Sequence, residues 1–124
     1  MFSVDPLSRT PVYEQIVEQC EQYVLLGVLC AGDRLPSVRQ LSVELSINPN
    51  TIQKAYIELD RRGMVTAVPG RGVFISPDAF DKISVMKQEN LNEIARLARE
   101  LKQAQTPVET VIDCVRKAYG EETK

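Results

Sequence analysis

The stretch LPSVRQLSVELSINPNTIQKAYIELDRRG, residues 35–63, decides the architecture. Pro36 pushes Leu35 out of the α region and holds it extended. Ser37-Val38-Arg39-Gln40 then has the S-x-x-Q form of a capping box, which opens a helix. Val38, Leu41 and Leu45 recur at steps of three and four and give that helix one apolar face. It is short and ends near Ser46. Ile47 stands alone in the connection, as an apolar residue that pins a turn to a core. Asn48-Pro49 reads as N-cap and first residue of a second helix. Its buried stripe is Ile52, Ala55, Tyr56 and Leu59. Gly63 stops it, after Arg61 and Arg62 in a last turn where positive charge complements the helix dipole. The stretch is thus two short helices joined by a tight turn.

Working outward, Pro11 begins an earlier helix with Thr10 as its expected N-cap. Val12, Ile16, Cys20 and Tyr23 with Val24 form its inner face, and Gly27 and Gly32-Asp33 supply stops and a turn. On the other side, the β-prone runs Met64–Val68 and Val73–Ser76 flank Pro69-Gly70-Arg71-Gly72, the pattern of a β-hairpin. Pro77-Asp78 reads as a linker. From Ala79 to about Gln105 one helix is expected, with Phe80, Lys87, Leu91, Ile94, Ala98 and Leu101 at heptad-like steps. Thr106-Pro107-Val108-Glu109 reads as a second capping box, opening a last helix whose apolar side is Val108, Val111, Ile112 and Val115.

The chain has 124 residues, with 15 Lys+Arg against 17 Asp+Glu, no His and no Trp. Without His there is no Ser-His-Asp or Cys-His triad. No nucleophile–base pair and no G-x-x-x-x-G-K phosphate loop is present, so an enzyme is not expected. The three cysteines, Cys20, Cys30 and Cys114, lack metal-ligand spacing and read as reduced thiols. No metal or cofactor is expected. Nor is a membrane partner, because the longest apolar run falls far short of the roughly 20 residues of a span. No basic segment precedes an apolar one at the N-terminus, so the expected location is cytoplasmic. The net charge of −2 is unevenly spread. Residues 34–76 carry Arg34, Arg39, Lys54, Arg61, Arg62 and Arg71 against Glu44, Glu58 and Asp60. That basic block lies between segments of negative balance, and its bases are candidate phosphate contacts.

Two helices, a turn and a hairpin make a winged helix-turn-helix. In such a module the first helix of the pair aims its N-terminal amides at a phosphate, and the second enters the major groove N-terminus first. Ser37 and Arg39 stand at the start of the first helix, and Asn50, Thr51, Gln53 and Lys54 in the opening turns of the second. Arg71 lies between two glycines at the wing tip. A base at a helix N-terminus opposes the dipole, and phosphate would give Arg39 a reason to be there. Asn and Gln pair bidentately with adenine, so an adenine-containing half-site is expected.

These residues carry a resemblance. Leu35-Pro36-Ser37-Val38-Arg39-Gln40-Leu41, Asn50-Thr51-Ile52-Gln53-Lys54-Ala55-Tyr56, Leu59-Asp60-Arg61-Arg62-Gly63 and Gly70-Arg71-Gly72-Val73-Phe74 resemble the GntR family of bacterial transcription regulators, in order and in register over residues 11–76. Asn48-Pro49-Asn50-Thr51 and the short C-terminal part resemble the YtrA-like subfamily. The resemblance implies phosphate contact by Ser37 and Arg39, groove contacts at Asn50, Thr51 and Gln53, and minor-groove or backbone contact at Gly70, Arg71 and Gly72. Lys54 and Arg34 join them as phosphate candidates on physical grounds. Many relatives have arginines where Pro49 and Gln53 stand, so the motif carries over the docking mode better than the base preference.

The expected organisation is a DNA-binding domain over residues 1–76 and a helical dimerisation region over 77–124, mainly α with a small β-hairpin. Two amphipathic helices are too small to enclose a ligand pocket of roughly 300–1,000 Å³. Their apolar stripe, with Leu91, Ile94, Ala98 and Leu101, reads as a homodimer surface. A two-fold protein matches a pseudo-palindromic double-stranded DNA operator. The expected function is a dimeric repressor, and the subfamily resemblance implies control of transporter genes. The other class of function open at this point is a winged helix used only to bind protein.

Overall fold

In the computed structural model, residues 1–121 are described; residues 122–124, expected to be a frayed tail, lie outside the described residues. The elements are α1 (Val12–Leu25), α2 (Val38–Leu45), α3 (Pro49–Arg61), β1 (Val65–Val68), β2 (Gly72–Ile75), α4 (Ala79–Lys87), α5 (Asn90–Gln103) and α6 (Val108–Ala118). They form two compact units, Met1–Met86 and the remainder from Lys87.

The first unit is built on the apolar stripes read from the sequence. Ile16 and Cys20 of α1, Leu41 of α2, and Ile52, Ala55 and Leu59 of α3 are essentially sealed from solvent. Ile47 packs against this core from the inter-helix turn. The turn passes through Ser46 at φ 56°, a left-handed residue at the C-terminus of α2. The Ser42 hydroxyl donates to the Ile47 carbonyl at 2.5 Å and fixes the exit.

β1 and β2 pair antiparallel in the register Val65↔Ile75, Thr66↔Phe74, Ala67↔Val73 and Val68↔Gly72. A further rung lies outside the hairpin. Arg34 bridges Phe74 antiparallel, with the Leu35 N–H donating to the Val73 carbonyl at 2.8 Å and the Ile75 N–H to the Asp33 carbonyl at 2.8 Å. The free edge of β2 is thereby covered by the segment that leads into α2.

The structure corrects three expectations. The domain boundary expected at 76/77 lies at 86/87, because α4 sends Ala79 and Ile83 into the winged-helix core. The single helix expected from Ala79 to Gln105 is two, α4 and α5. Between them the chain tightens, with the Leu91 N–H bonded to the Gln88 carbonyl and the Asn92 N–H to the Glu89 carbonyl, both at 3.0 Å. No Gly or Pro marks that break, and it removes Phe80 and Lys87 from the heptad run. The caps expected at Thr10 and Thr106 are not made by those side chains; Pro11 and Pro107 occupy the N-cap positions, without a side-chain cap bond. Proline's fixed φ and extended ψ set the entry there.

Burial pushes the Cys20 thiol up to about 12, with Glu21 adding to the shift. The thiolate is the nucleophile, so a buried thiol held protonated is inert. Alkylation of the native chain at mildly alkaline pH is expected to modify the exposed Cys30 and Cys114 and to spare Cys20 until denaturant is added. Peptide mass mapping reads this directly, and native modification of Cys20 would contradict a closed α1 core.

Candidate nucleic-acid interface

The N-terminus of α2 is built as the sequence requires. The Ser37 hydroxyl accepts from the Gln40 N–H at 3.0 Å, while the Gln40 side-chain oxygen accepts from the Ser37 N–H at 2.9 Å. The capping box thus satisfies two backbone donors. Helix geometry leaves the Val38 and Arg39 amides without intrahelical partners, and the Ser37 hydroxyl keeps its own hydrogen to donate. Arg39 is exposed beside them. The Tyr56 hydroxyl donates to the Pro36 carbonyl at 2.6 Å and ties this loop to α3. Burial raises the Tyr56 phenol, so it stays a donor. The helical spacing announced Tyr56 as core, but only the folded chain reveals this strut between the two helices.

The Asn48 side chain caps α3, accepting from the Asn50 N–H at 2.8 Å, with Pro49 as the first helical residue. Asn50, Gln53 and Lys54 are exposed and Thr51 is half-buried. Ile57, 59% exposed on the same helix, was not marked by its sequence context. An apolar side chain on that surface suits contact with a thymine methyl.

At the wing tip, Gly70 and Gly72 adopt φ 76° and 130°. The Arg71 N–H donates to the Val68 carbonyl at 2.9 Å, closing the turn with the side chain exposed. Gly72 has a second reason to be glycine, since a Cβ there would lie 2.8 Å from the Arg34 Nε. Arg34 therefore rests against the wing backbone, in the rung that joins β2 to the approach to α2.

The pattern of ion pairs divides the bases of this region. Arg61 binds both oxygens of Glu58, which holds the Glu58 carboxyl below its usual range. Arg62 pairs with the buried Glu21 of α1 and also faces Glu58 at 3.6 Å. These two arginines, read as partners of the helix dipole, are committed within the protein. Among the described residues, Arg34, Arg39, Lys54 and Arg71 make no ion pair. Lys54 has a neutral companion instead: its ammonium lies 4.1 Å from the centre of the Tyr13 ring. The bases predicted to meet phosphate are thus the ones the fold leaves uncompensated, while the Glu21–Arg62 pair and Tyr13 are new from the structure. Neither has a local sequence signal, because each joins residues of α1 to residues about 40 positions away.

The family profile for bacterial regulatory proteins of the gntR family matches residues 12–75, from the first residue of α1 to the last of β2. The chain belongs to the GntR family. This GntR chain is similar to the HTH-type transcriptional repressor YtrA of Bacillus subtilis (strain 168), with 48% identity over 79 residues, 64% of this chain and 61% of that protein. It therefore spans about three fifths of that relative's length. Among solved structures, a transcriptional regulator from Oenococcus oeni is similar over 94% of this chain and 97% of its own, with TM-score 0.76 and 30% identity. The DNA-binding domain of AraR in complex with its operator ORX1 is similar over 61% of this chain and 96% of that one, with TM-score 0.55 and 25% identity. The family resemblance drawn from the motifs of α2, α3 and the wing is borne out, as is the winged-helix fold.

Proposed function

We propose that this GntR chain is a cytoplasmic, sequence-specific DNA-binding transcription regulator. It acts as a homodimeric repressor on a pseudo-palindromic double-stranded operator. The observation that carries the reading is the set of uncompensated bases, Arg34, Arg39, Lys54 and Arg71, on the approach to α2, α2 itself, α3 and the wing. A surface that only docked protein would have no need to keep these four free of carboxylates. The operator-bound state of AraR supports the docking mode, and the similarity to a repressor supports the sign of regulation. Ser37, Arg39 and the open α2 amides hold phosphate. Asn50, Thr51 and Gln53 read base edges, Lys54 and Arg34 hold the backbone, and the Gly70-Arg71-Gly72 tip follows the minor groove or backbone.

The dimer is read from α5 and α6, none of whose residues is buried. Leu91, Ile94, Ala98 and Leu101 recur at steps of three and four on α5, while Glu93, Arg96 and Glu100 pair among themselves elsewhere on that helix. An open apolar groove of about 410 Å³, not an enclosed cavity, lies between α5 and α6, lined by the exposed Ile94, Leu97, Leu101 and Val115 among others. Apolar surface of this kind on so small a unit marks an interface.

Selection of bound fragments from random and genomic duplexes tests the reading. The expected product is two adenine-containing half-sites related by a dyad. Arg39→Ala and Arg71→Ala are each expected to weaken operator binding about tenfold or more, as loss of a charge-assisted hydrogen bond does. Each should also flatten the dependence of log Kobs on log salt by about one unit per lost phosphate. Failure to enrich any duplex, or binding indifferent to salt, would leave the protein-docking function in its place.

A further inference from the structure

We propose that Tyr13 is a positioning residue for DNA binding: its ring seats the Lys54 ammonium at the flank of α3 and leaves it unneutralised. The inference rests on the reading of Lys54 as a phosphate contact. A lysine on an exposed helix usually has two fates, wandering in solvent or pairing with a carboxylate one turn away. Glu58 is that carboxylate. It is already held by Arg61 through both oxygens and faced by Arg62, so it does not claim Lys54. What α1 offers instead is the Tyr13 ring, 4.1 Å from the Lys54 Nζ.

The difference is chemical. A carboxylate would cancel the charge that phosphate must meet. The face of an aromatic ring attracts a cation through its quadrupole and carries no net charge, so it orders Lys54 without discharging it. Ordering before DNA arrives removes part of the side-chain entropy cost from the binding step. The Tyr13 hydroxyl donates to the Glu14 carboxylate at 3.1 Å, which makes the ring more electron-rich. The same contact raises the phenol above its usual range, so Tyr13 remains neutral. Tyr13 is half-buried against the core, which fixes the ring on which the cation rests.

The test titrates the full chain and its Tyr13→Leu, Tyr13→Phe, Lys54→Ala and Tyr13→Leu/Lys54→Ala variants with a labelled random-sequence duplex over a series of salt concentrations. Lys54→Ala is expected to flatten the log–log salt slope by about 0.9. Tyr13→Leu should weaken binding about two- to fivefold, the size of an exposed cation–π contact. Tyr13→Phe keeps the ring and loses only the hydroxyl's contribution to its electron density, so it binds closer to the wild type than Tyr13→Leu does, and the double variant binds like Lys54→Ala alone. In the free protein, the Lys54 ε-methylene protons are expected upfield by the ring current in wild type and Tyr13→Phe, and at ordinary positions in Tyr13→Leu. Equal loss from Tyr13→Leu with or without Lys54 would make Tyr13 merely structural and overturn the proposal. Wild-type binding by Tyr13→Leu beside a weakened Lys54→Ala would overturn the positioning role alone. An unaltered slope in Lys54→Ala would remove the phosphate contact and the inference with it. Should Tyr13→Leu fail to fold, absence of the upfield signal in the wild type overturns the proposal by itself.

Discussion

A chain carrying Ile94→Glu and Leu101→Glu is expected to sediment as a monomer and to bind a two-half-site operator at least about a hundredfold more weakly than the parent. Both positions lie on the apolar side of α5, half exposed at Ile94 and 40% exposed at Leu101. The substitutions therefore remove little packing within one chain, where surface changes cost about half a kcal/mol or less. Between two chains, each buried carboxylate would lack a partner, a heavy penalty in an apolar interface. Loss of the proposed dimer would turn the second half-site contact from an intramolecular event into a bimolecular one, which accounts for the size of the expected drop. Binding to a single half-site should be nearly unaltered. Light scattering and titration on one- and two-half-site duplexes separate these effects. A double variant that stays dimeric would move the interface away from this face of α5.

The second large effect concerns folding. Arg62→Ala is expected to destabilise the first unit by about 3 kcal/mol, the lower end for breaking a buried ion pair by removing one partner. Glu21 is the reason: its side chain is 5% exposed, against 30% for Arg62, so truncation of the arginine strands a carboxylate between α1 and α3. The lower end applies because Arg62 itself is partly solvated. For a unit of this size the change lowers Tm by roughly 12–24 °C. Glu21→Gln with Arg62→Met should recover much of the loss, since it removes both charges together. Thermal unfolding followed by circular dichroism decides the matter. A single Arg62→Ala variant melting within a few degrees of the parent would show that the pair carries no such weight.

The legible part of this fold was the part written in local chemistry. Ser37 with Gln40, Asn48 with Pro49, and glycines at 63, 70 and 72 announce two helices and a turn of the wing, and the structure realises each. The stripe Ile52, Ala55, Tyr56 and Leu59 is buried as spaced. The positions of Arg39 on α2 and Arg71 at the wing tip were legible because cap and turn chemistry fixes where they stand. The illegible part depended on tertiary partners. The break at Gln88-Glu89 has no glycine or proline to signal it. Residues 79–87 look like the start of a long heptad helix until Ala79 and Ile83 find a core to enter. Glu21 reads as an ordinary helix-surface acid, and only its meeting with Arg62 explains its burial. At Thr106 the capping pattern was present, yet Pro107 sets the entry to α6 without a side-chain bond.

The rung between Arg34 and Phe74 has a mechanical consequence. A two-stranded hairpin alone flaps on its stem. Here β2 is stitched on its outer side to the chain that enters α2, and Tyr56 stitches that same entry to α3. The wing, α2 and α3 are thus tied to one another, like the jaws of a caliper, through that shared entry segment. On the proposed docking mode, such a caliper would gauge the width of the DNA between its contact points as well as the letters it touches. Stiff tracts that hold the groove at the caliper's span are expected to be preferred over flexible steps at positions no side chain reaches.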